Sequence, residues 1–498
     1  MTRLWFFVLV FIWPVISDAQ RLWSHQKPLR KNAALFDSNE SQAELLRERL
    51  PRVVNVSRYE LIIFPHFPFL GLYQEKPDFT FDGTVRIHFT IAQTTQNIWL
   101  FAQNLLEFSS VQLSTEDGSI PINFFATNPN TTRLTLKTVE PLSVGQKCTL
   151  KIDYKGPINE YGDAGLYFSK YMDDGGDFQY LVGTFFEPMR ARKMYPSFDD
   201  PYFKATFQLS VVYPKLAKVY SNVAEGKNHE YNKNYNMMEF GESTRMSSYL
   251  LAFVIGNFKS ALAKTKRGVP VQTIAIPELA DYLPASAQIG ANCIDGMEKL
   301  VNVDYPLNKL DNVEMIEMGH SSAMENFGLI VYTRVEQTTI MCHEISHQWF
   351  GDLVTADRWG YEFLHESFAA FFQKSERHNN SEQIKKTLLK ALWSGTKMPA
   401  CTVKKKLNML WLRIEHTSTM LPTTPGRGAI LRMFERVLGS DNFFKALNRY
   451  LTKHQFSNAK ADDLIDEFVA VIDKPLCGKM DARKIFDGFL KNSHYPGC

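Results

Sequence analysis

Residues 341–372 read MCHEISHQWFGDLVTADRWGYEFLHESFAAFF. His343-Glu344-Ile345-Ser346-His347 sets two histidines four apart, with a glutamate beside the first. On a helix, positions four apart lie on one face, a single turn apart. Both imidazoles then reach one metal ion. Zinc suits two neutral imidazoles plus a carboxylate and leaves its fourth position to water. Glu344 is placed to take a proton from such a water. The stretch DLVTADRWG turns the chain back, and YEFLHESFAAFF predicts a second helix on which Glu366 faces the histidines as the third ligand. A polar cluster set between the apolar IM and QWFG is costly to bury without a partner such as a metal. The cofactor expected from these residues is one Zn2+.

From Thr338 onward most of the chain has helical patterning: 338–353, 361–378, 381–396, 427–438, 441–453, 461–471 and 481–491. Before it, PASAQIGANCIDGMEKLVNV predicts a helix with Pro284 in its first turn. GVPVQTIAIP, NVEMIEM and GLIVYTRVE predict strands. Further upstream, Leu50 to about Asn257 is mostly β. RYELIIF, FDGTVRIHFTIA, QNIWLFAQ, RLTLKTV, KCTLKIDYKG, ATFQLSVVY and SSYLLAFVIG alternate or run apolar between turn residues. The fold class is therefore α+β. A β-sandwich or saddle-like domain over 49–258 is followed at 259–498 by a small sheet and a helical body.

The 498 residues, 45% hydrophobic and 13% aromatic, are ample for large cores. A net charge of +3 with acids and bases almost balanced offers no basic face for nucleic acid. Residues 1–19 read as a secretory signal: Arg3, an apolar run from Leu4 to Trp13, then Pro14, with Ser17 and Ala19 placed as at a cleavage site. The alternative is a membrane tether through an uncleaved anchor, for which the run is short against the roughly 20 residues a span needs. Residues 20–48 read as a flexible lead-in. No later segment has the apolar length to span a bilayer, so a secreted protein is expected. Sequons at Asn39, Asn55, Asn130 and Asn379 agree with export and make a glycoprotein. The six cysteines are too dispersed for a small disulfide scaffold. Cys342, inside the metal helix, is expected to be a packed thiol rather than a bridge.

With SAMEN at Ser322–Asn326, the pentad and the distant glutamate together resemble the aminopeptidase N-like zinc aminopeptidases, within the gluzincins. LPRVVNVSRYELII resembles the opening of that family's first domain, and FEPMRARKMYPSFDDPYFKATF its FEP…AR…KATF signature. SSYLLAFVIGNF, YPLNKLD, HQWFGDLVT, FFKALNRYLTKHQFSNAKADDLIDEF and the terminal HYPG extend the likeness over about residues 48–497. The resemblance implies a thermolysin-like catalytic domain and hydrolysis of N-terminal residues from peptides with a free amine. It makes His343, His347 and Glu366 the zinc ligands and Glu344 the general base. It places Glu325 on the substrate's α-amino group, with Ser322, Ala323 and Met324 along the same binding motif. A carboxylate facing an ammonium makes a charge-assisted hydrogen bond, and its fixed distance to zinc counts off one residue.

Several positions depart from the family pattern. Its oxyanion-binding tyrosine falls at Thr424 or Pro425; losing one such donor costs about 10²–10³ in rate. Tyr332 and Tyr361 are the candidates to take its place, with no geometric argument for either. The family's glutamine before FEP is Phe185, which removes one amine contact. Ser322 replaces a glycine and is strained if the backbone there needs glycine's freedom. The connection from Glu325 to His343 is shorter than the family's. His365 is read as a neighbour of the ligands rather than a ligand. The family's later β and helical domains are absent from this chain, so an apolar docking face is expected, covered by an oligomer or partner. These departures predict reduced activity. The alternative is a catalytically inactive, zinc-bearing ectodomain that binds peptides or a protein.

Overall fold

Strict alternation along the first half makes sheets with one buried face. In the strand Thr80–Ile91, Phe81, Gly83, Val85, Ile87, Phe89 and Ile91 are buried while the residues alternating with them reach the surface. The computed structural model describes residues 49–70, 78–160, 165–173, 175–318, 321–335, 338–375 and 424–472, with 483, 484 and 486. The expected signal and lead-in lie outside the described residues.

An eight-stranded sheet runs in the order Lys227–Glu230, Tyr235–Glu242, Thr206–Pro214, Val54–His66, Thr80–Ile91, Lys147–Pro157, Glu107–Thr115, Gly118–Ile120. Its pairings are antiparallel except Val54–His66 with Thr206–Pro214. A three-stranded sheet (Thr95–Phe101, Arg133–Leu142, Ile122–Thr127) and a five-stranded sheet accompany it. The five-stranded sheet includes the hairpin Gly165–Met172 and Phe178–Phe185. Tyr59 and Phe207 stack at 4.8 Å in the core, and each such buried ring contributes about 1.5–3 kcal/mol.

The expected strands fall on observed strands, with one difference. SSYLLAFVIG begins as a short 3-10 turn, Ser248–Leu250, before the strand Phe253–Gly256. The Asn222 side chain explains this. It donates to the Leu250 carbonyl at 2.7 Å and accepts the Ala252 N–H at 2.8 Å, satisfying locally what a ladder would have satisfied.

Pairing changes partners at Lys259. Lys259–Lys264, Pro270–Ala275, Leu310–Glu314, Leu329–Tyr332 and Ala323–Met324 form a separate five-stranded sheet in that order. Its middle pairs are parallel, so they need a long crossover. Helix α1, Leu283–Val301, supplies one, with Pro284 in its first turn and a left-handed Asn302 at its end.

The helical body follows: α2 Thr338–His347, α3 Phe363–Ser375, α4 Thr424–Leu438, α5 Ser440–His454 and α6 Ala461–Ala470. Phe443 stacks on Phe468 and meets Phe371 at a tilt, which joins α3, α5 and α6. The expected helix 381–396 lies outside the described residues, as does most of 481–491. Two expectations need correction. Helix α2 ends at His347 instead of running to 353, because Gly351 takes φ +137, a conformation that suits glycine and breaks the helix. Cys342 is not a free packed thiol: it forms a disulfide with Cys293 on α1. Both helices lie against one another there, which brings two cysteines distant in sequence to a Cα separation of 5.4 Å. Among the described residues no helix is long and apolar enough to cross a membrane.

Candidate active site

Helix α2 presents His343 and His347 on one face. Their rings stand 5.0 Å apart between centroids. After His347 the chain turns through Trp349 and Phe350, crosses Val354–Ala356, and enters α3 with Glu366 in its first turn. Phe350 stacks on Phe368 at 4.1 Å and on Phe372 at 5.6 Å, which holds α3 against the exit of α2.

This packing brings Glu366 Oε2 to 3.6 Å from His343 Nε2 and Glu366 Oε1 to 3.7 Å from His347 Nε2. All three donor atoms lie within 4.8 Å of one another. Tetrahedral zinc with bonds of about 2.0–2.1 Å needs ligand–ligand edges of about 3.4 Å; the two Glu366–imidazole edges are within a few tenths of an ångström of that, and the imidazole–imidazole edge lies within 4.8 Å. The tautomer is suitable too. His347 Nδ1 donates to the Phe350 carbonyl at 3.1 Å, which leaves the Nε2 lone pair for a metal. Burial holds the His347 imidazole below its usual pKa, favouring the neutral form a ligand needs.

The surrounding charges are consistent with a cation. Glu344 is buried, and burial, with Glu325 and Glu366 nearby, pushes its carboxyl up to about 8 against the opposing pull of His343. Burial and Glu366 push Glu325 up to about 7. Glu325 Oε1 is buried and has no hydrogen-bond partner in the protein. A divalent ion among these carboxylates would invert that logic and favour their charged forms.

The amine motif is partly as expected. Ala323 pairs with Tyr332 and Met324 with Val331, so the motif forms a short edge strand leading to buried Glu325. Ser322 does not take a left-handed backbone, so the expected strain is not present. Phe185 packs at the end of its strand with the Arg190 guanidinium 5.5 Å above its ring. Tyr332 is buried and its hydroxyl donates to Asn312 at 3.0 Å. The Tyr361 hydroxyl accepts from Arg358. Thr424 opens α4, and nothing is described of its side chain or that of Pro425. The His365 Nε2 accepts the Ala356 N–H at 2.8 Å, so that nitrogen is already engaged by the backbone. Asn55 and Asn130 are exposed, whereas Asn39 and Asn379 lie outside the described residues.

Sequence reasoning missed Glu187. It follows the strand Phe178–Phe185, and loss of solvent together with Glu325, Glu366, Glu362 and Glu344 lifts its carboxyl well above the usual range. The signal was present in FFEP, an acid directly after an apolar strand, but only the fold identifies its neighbours.

The profile described as the Peptidase M1 N-terminal domain matches residues 56–250, and that of the Peptidase family M1 domain matches residues 285–483. "Putative aminopeptidase-2" of Caenorhabditis elegans is 32% identical over 447 residues, covering 84% of this chain and 23% of that protein. "Aminopeptidase A" of Gloydius brevicauda is 28% identical over 90% of this chain and 47% of its own length. "Aminopeptidase N" of Haemonchus contortus is 28% identical over 88% of this chain and 47% of its own length. The chain spans about half the length, or less, of these curated relatives.

Proposed function

Because the chain belongs to peptidase family M1, we propose that it is a secreted zinc aminopeptidase that removes N-terminal residues from peptides. The observation that carries this reading is the convergence of His343, His347 and Glu366 donor atoms within 4.8 Å, beside buried Glu344. These three residues would hold the ion. When bound, zinc supplies a water of lowered pKa and polarises the scissile carbonyl. Glu344 accepts the proton of the attacking water and returns it to the leaving amine. Glu344 is buried directly beside His343, where one carboxylate can both take and give a proton within the site.

Glu325 and Glu187 act together on the substrate's α-ammonium. A cation beside them relieves the repulsion from neighbouring carboxylates that, after burial, raises each: Glu366 for Glu325, and Glu325, Glu366, Glu362 and Glu344 for Glu187. A substrate lacking a free amine leaves that repulsion in place, which is the basis of exopeptidase selectivity. Turnover is expected to be slow, because the hydroxyl of Tyr332 is engaged by Asn312 and does not serve an oxyanion. Export is supported by the composition of residues 1–19 and by the exposure of the sequon residues Asn55 and Asn130.

The test uses the purified chain and its Glu344→Gln variant. Zinc is counted by mass spectrometry, and release of a coloured amine from aminoacyl amides is followed. One zinc per chain in both proteins, with turnover in the parent and at least about 10³-fold less in Glu344→Gln, is the expected result. Zinc in both with the same background rate supports the second reading, an inactive peptide-binding ectodomain. No zinc in either ends the proposal.

A further inference from the structure

Gln348 directly follows the ligand His347 and is fully buried. Its Nε2 donates to the Glu325 carbonyl at 2.9 Å and to Asp352 Oδ2 at 2.8 Å. Its Oε1 accepts the Gly328 N–H at 2.9 Å and the Tyr305 hydroxyl at 3.4 Å. A primary amide has two donor hydrogens and two acceptor lone pairs, so this side chain is fully used. Two of the four bonds grip opposite ends of one turn, 325–328, whose first residue carries the amine-facing carboxylate. That turn cannot readily deform on its own. Gly328 sits at φ +82, and a Cβ there would lie 2.5 Å from the Asn222 carbonyl oxygen. Lys309 Nζ and Asn222 Nδ2 hold the turn from outside the metal helix, at the Gly328 and Phe327 carbonyls. Gln348 holds it from the chain leaving that helix, one residue past a ligand.

We propose that Gln348 is a positioning residue that sets the spacing between the metal ligands and Glu325, and thereby the preference for a free N-terminal amine. The proposal rests on the functional reading above. Gln348 touches neither the metal donors nor the substrate; it acts through the backbone of Glu325. The distance it holds is the one that decides which peptide carbonyl meets Glu344 when the amine is anchored. A misplacement of about 1 Å in such a geometry costs on the order of 10²-fold.

The test compares the full chain with Gln348→Met, which keeps the length and loses every hydrogen bond, and Gln348→Glu, which keeps an acceptor for Gly328. Zinc per chain is measured by mass spectrometry. Binding of leucinamide and N-acetylleucinamide is measured by calorimetry, and turnover on free and acetylated substrates gives KM and kcat separately. The expected result is one zinc per chain in all three proteins. In Gln348→Met the preference for the free amine falls roughly 10- to 100-fold, with Gln348→Glu between that and the parent. An unaltered preference in a folded Gln348→Met overturns the role of Gln348 alone. Zinc lost together with the preference, or failure of both variants to fold, also overturns it, because Gln348 would then be a general core residue. A parent chain that does not distinguish the two ligands overturns the functional reading as well.

Discussion

His365 stands beside Glu366, yet its Nε2 is committed to the Ala356 N–H. Burial, reinforced by His347, holds its pKa down to about 3. The unfolded chain binds a proton on this residue near pH 6.5, whereas the folded chain does not until far lower pH. Stability contributed by neutral His365 is therefore present above about pH 6.5 and lost as pH falls toward the folded value. At pH 5 the loss is about 2 kcal/mol. His365→Gln, which keeps an acceptor but does not titrate, is expected to flatten the pH–stability profile between pH 7 and 5, measured by urea unfolding. An unchanged slope would mean that the imidazole is protonated in the folded state.

At the scale of elements, α2 is held from two sides. Behind it, the Cys293–Cys342 disulfide joins α2 to α1 across a sequence separation of 49. Closing a loop of that size removes unfolded-state entropy worth about 4 kcal/mol in the chain-entropy model. Cys342→Ala with Cys293→Ala is expected to lower unfolding free energy by about 2–4 kcal/mol, read from denaturant midpoints at constant m. Ahead of it, Phe350 stacks on two rings of α3, while its carbonyl accepts His347 Nδ1–H. Phe350→Ala is expected to cost about 3–5 kcal/mol and to weaken zinc retention about 10-fold in chelator competition. A loss of stability with zinc affinity intact would separate packing from ligand orientation.

Across the whole molecule, the first half of the chain supports the metal-site turn directly. Lys204 is buried, and its Nζ donates to the carbonyls of Asp352 at 2.9 Å and Leu353 at 3.1 Å. Arg49 reaches from the start of the described chain to Asp200 and Asp357. The Tyr249 hydroxyl donates to the Gly351 carbonyl at 3.3 Å. Lys204→Ala removes a donor from the Asp352 carbonyl, which keeps the Thr355 hydroxyl, and from the Leu353 carbonyl, at about 1–3 kcal/mol for a buried acceptor left unpaired. The expected outcome is a destabilised protein that unfolds in one transition, with faster proteolysis near residues 351–356. Two separated transitions, with the 351–356 segment unaffected, would mean that the two halves are energetically independent.

Much of this was legible locally. Alternation in FDGTVRIHFTIA specifies a half-buried strand because the side-chain period is two residues. The four-residue spacing of His343 and His347 specifies a shared face because a helical turn is 3.6 residues. What lay beyond the sequence depended on contacts between segments far apart in it. The Cys293–Cys342 bridge follows from α1 lying against α2.

By itself, then, the chain determined most of its described strands and helices, the pairing of two imidazoles on one helix face and the family to which it belongs, all consequences of short-range periodicity and motif. Only the tertiary structure decided that Glu187 comes near Glu325, that His365 serves a backbone N–H, and that Gln348 ties the turn 325–328 to the chain leaving α2. The physical reason is that electrostatic fields and buried hydrogen bonds depend on distance in space, which no local pattern encodes.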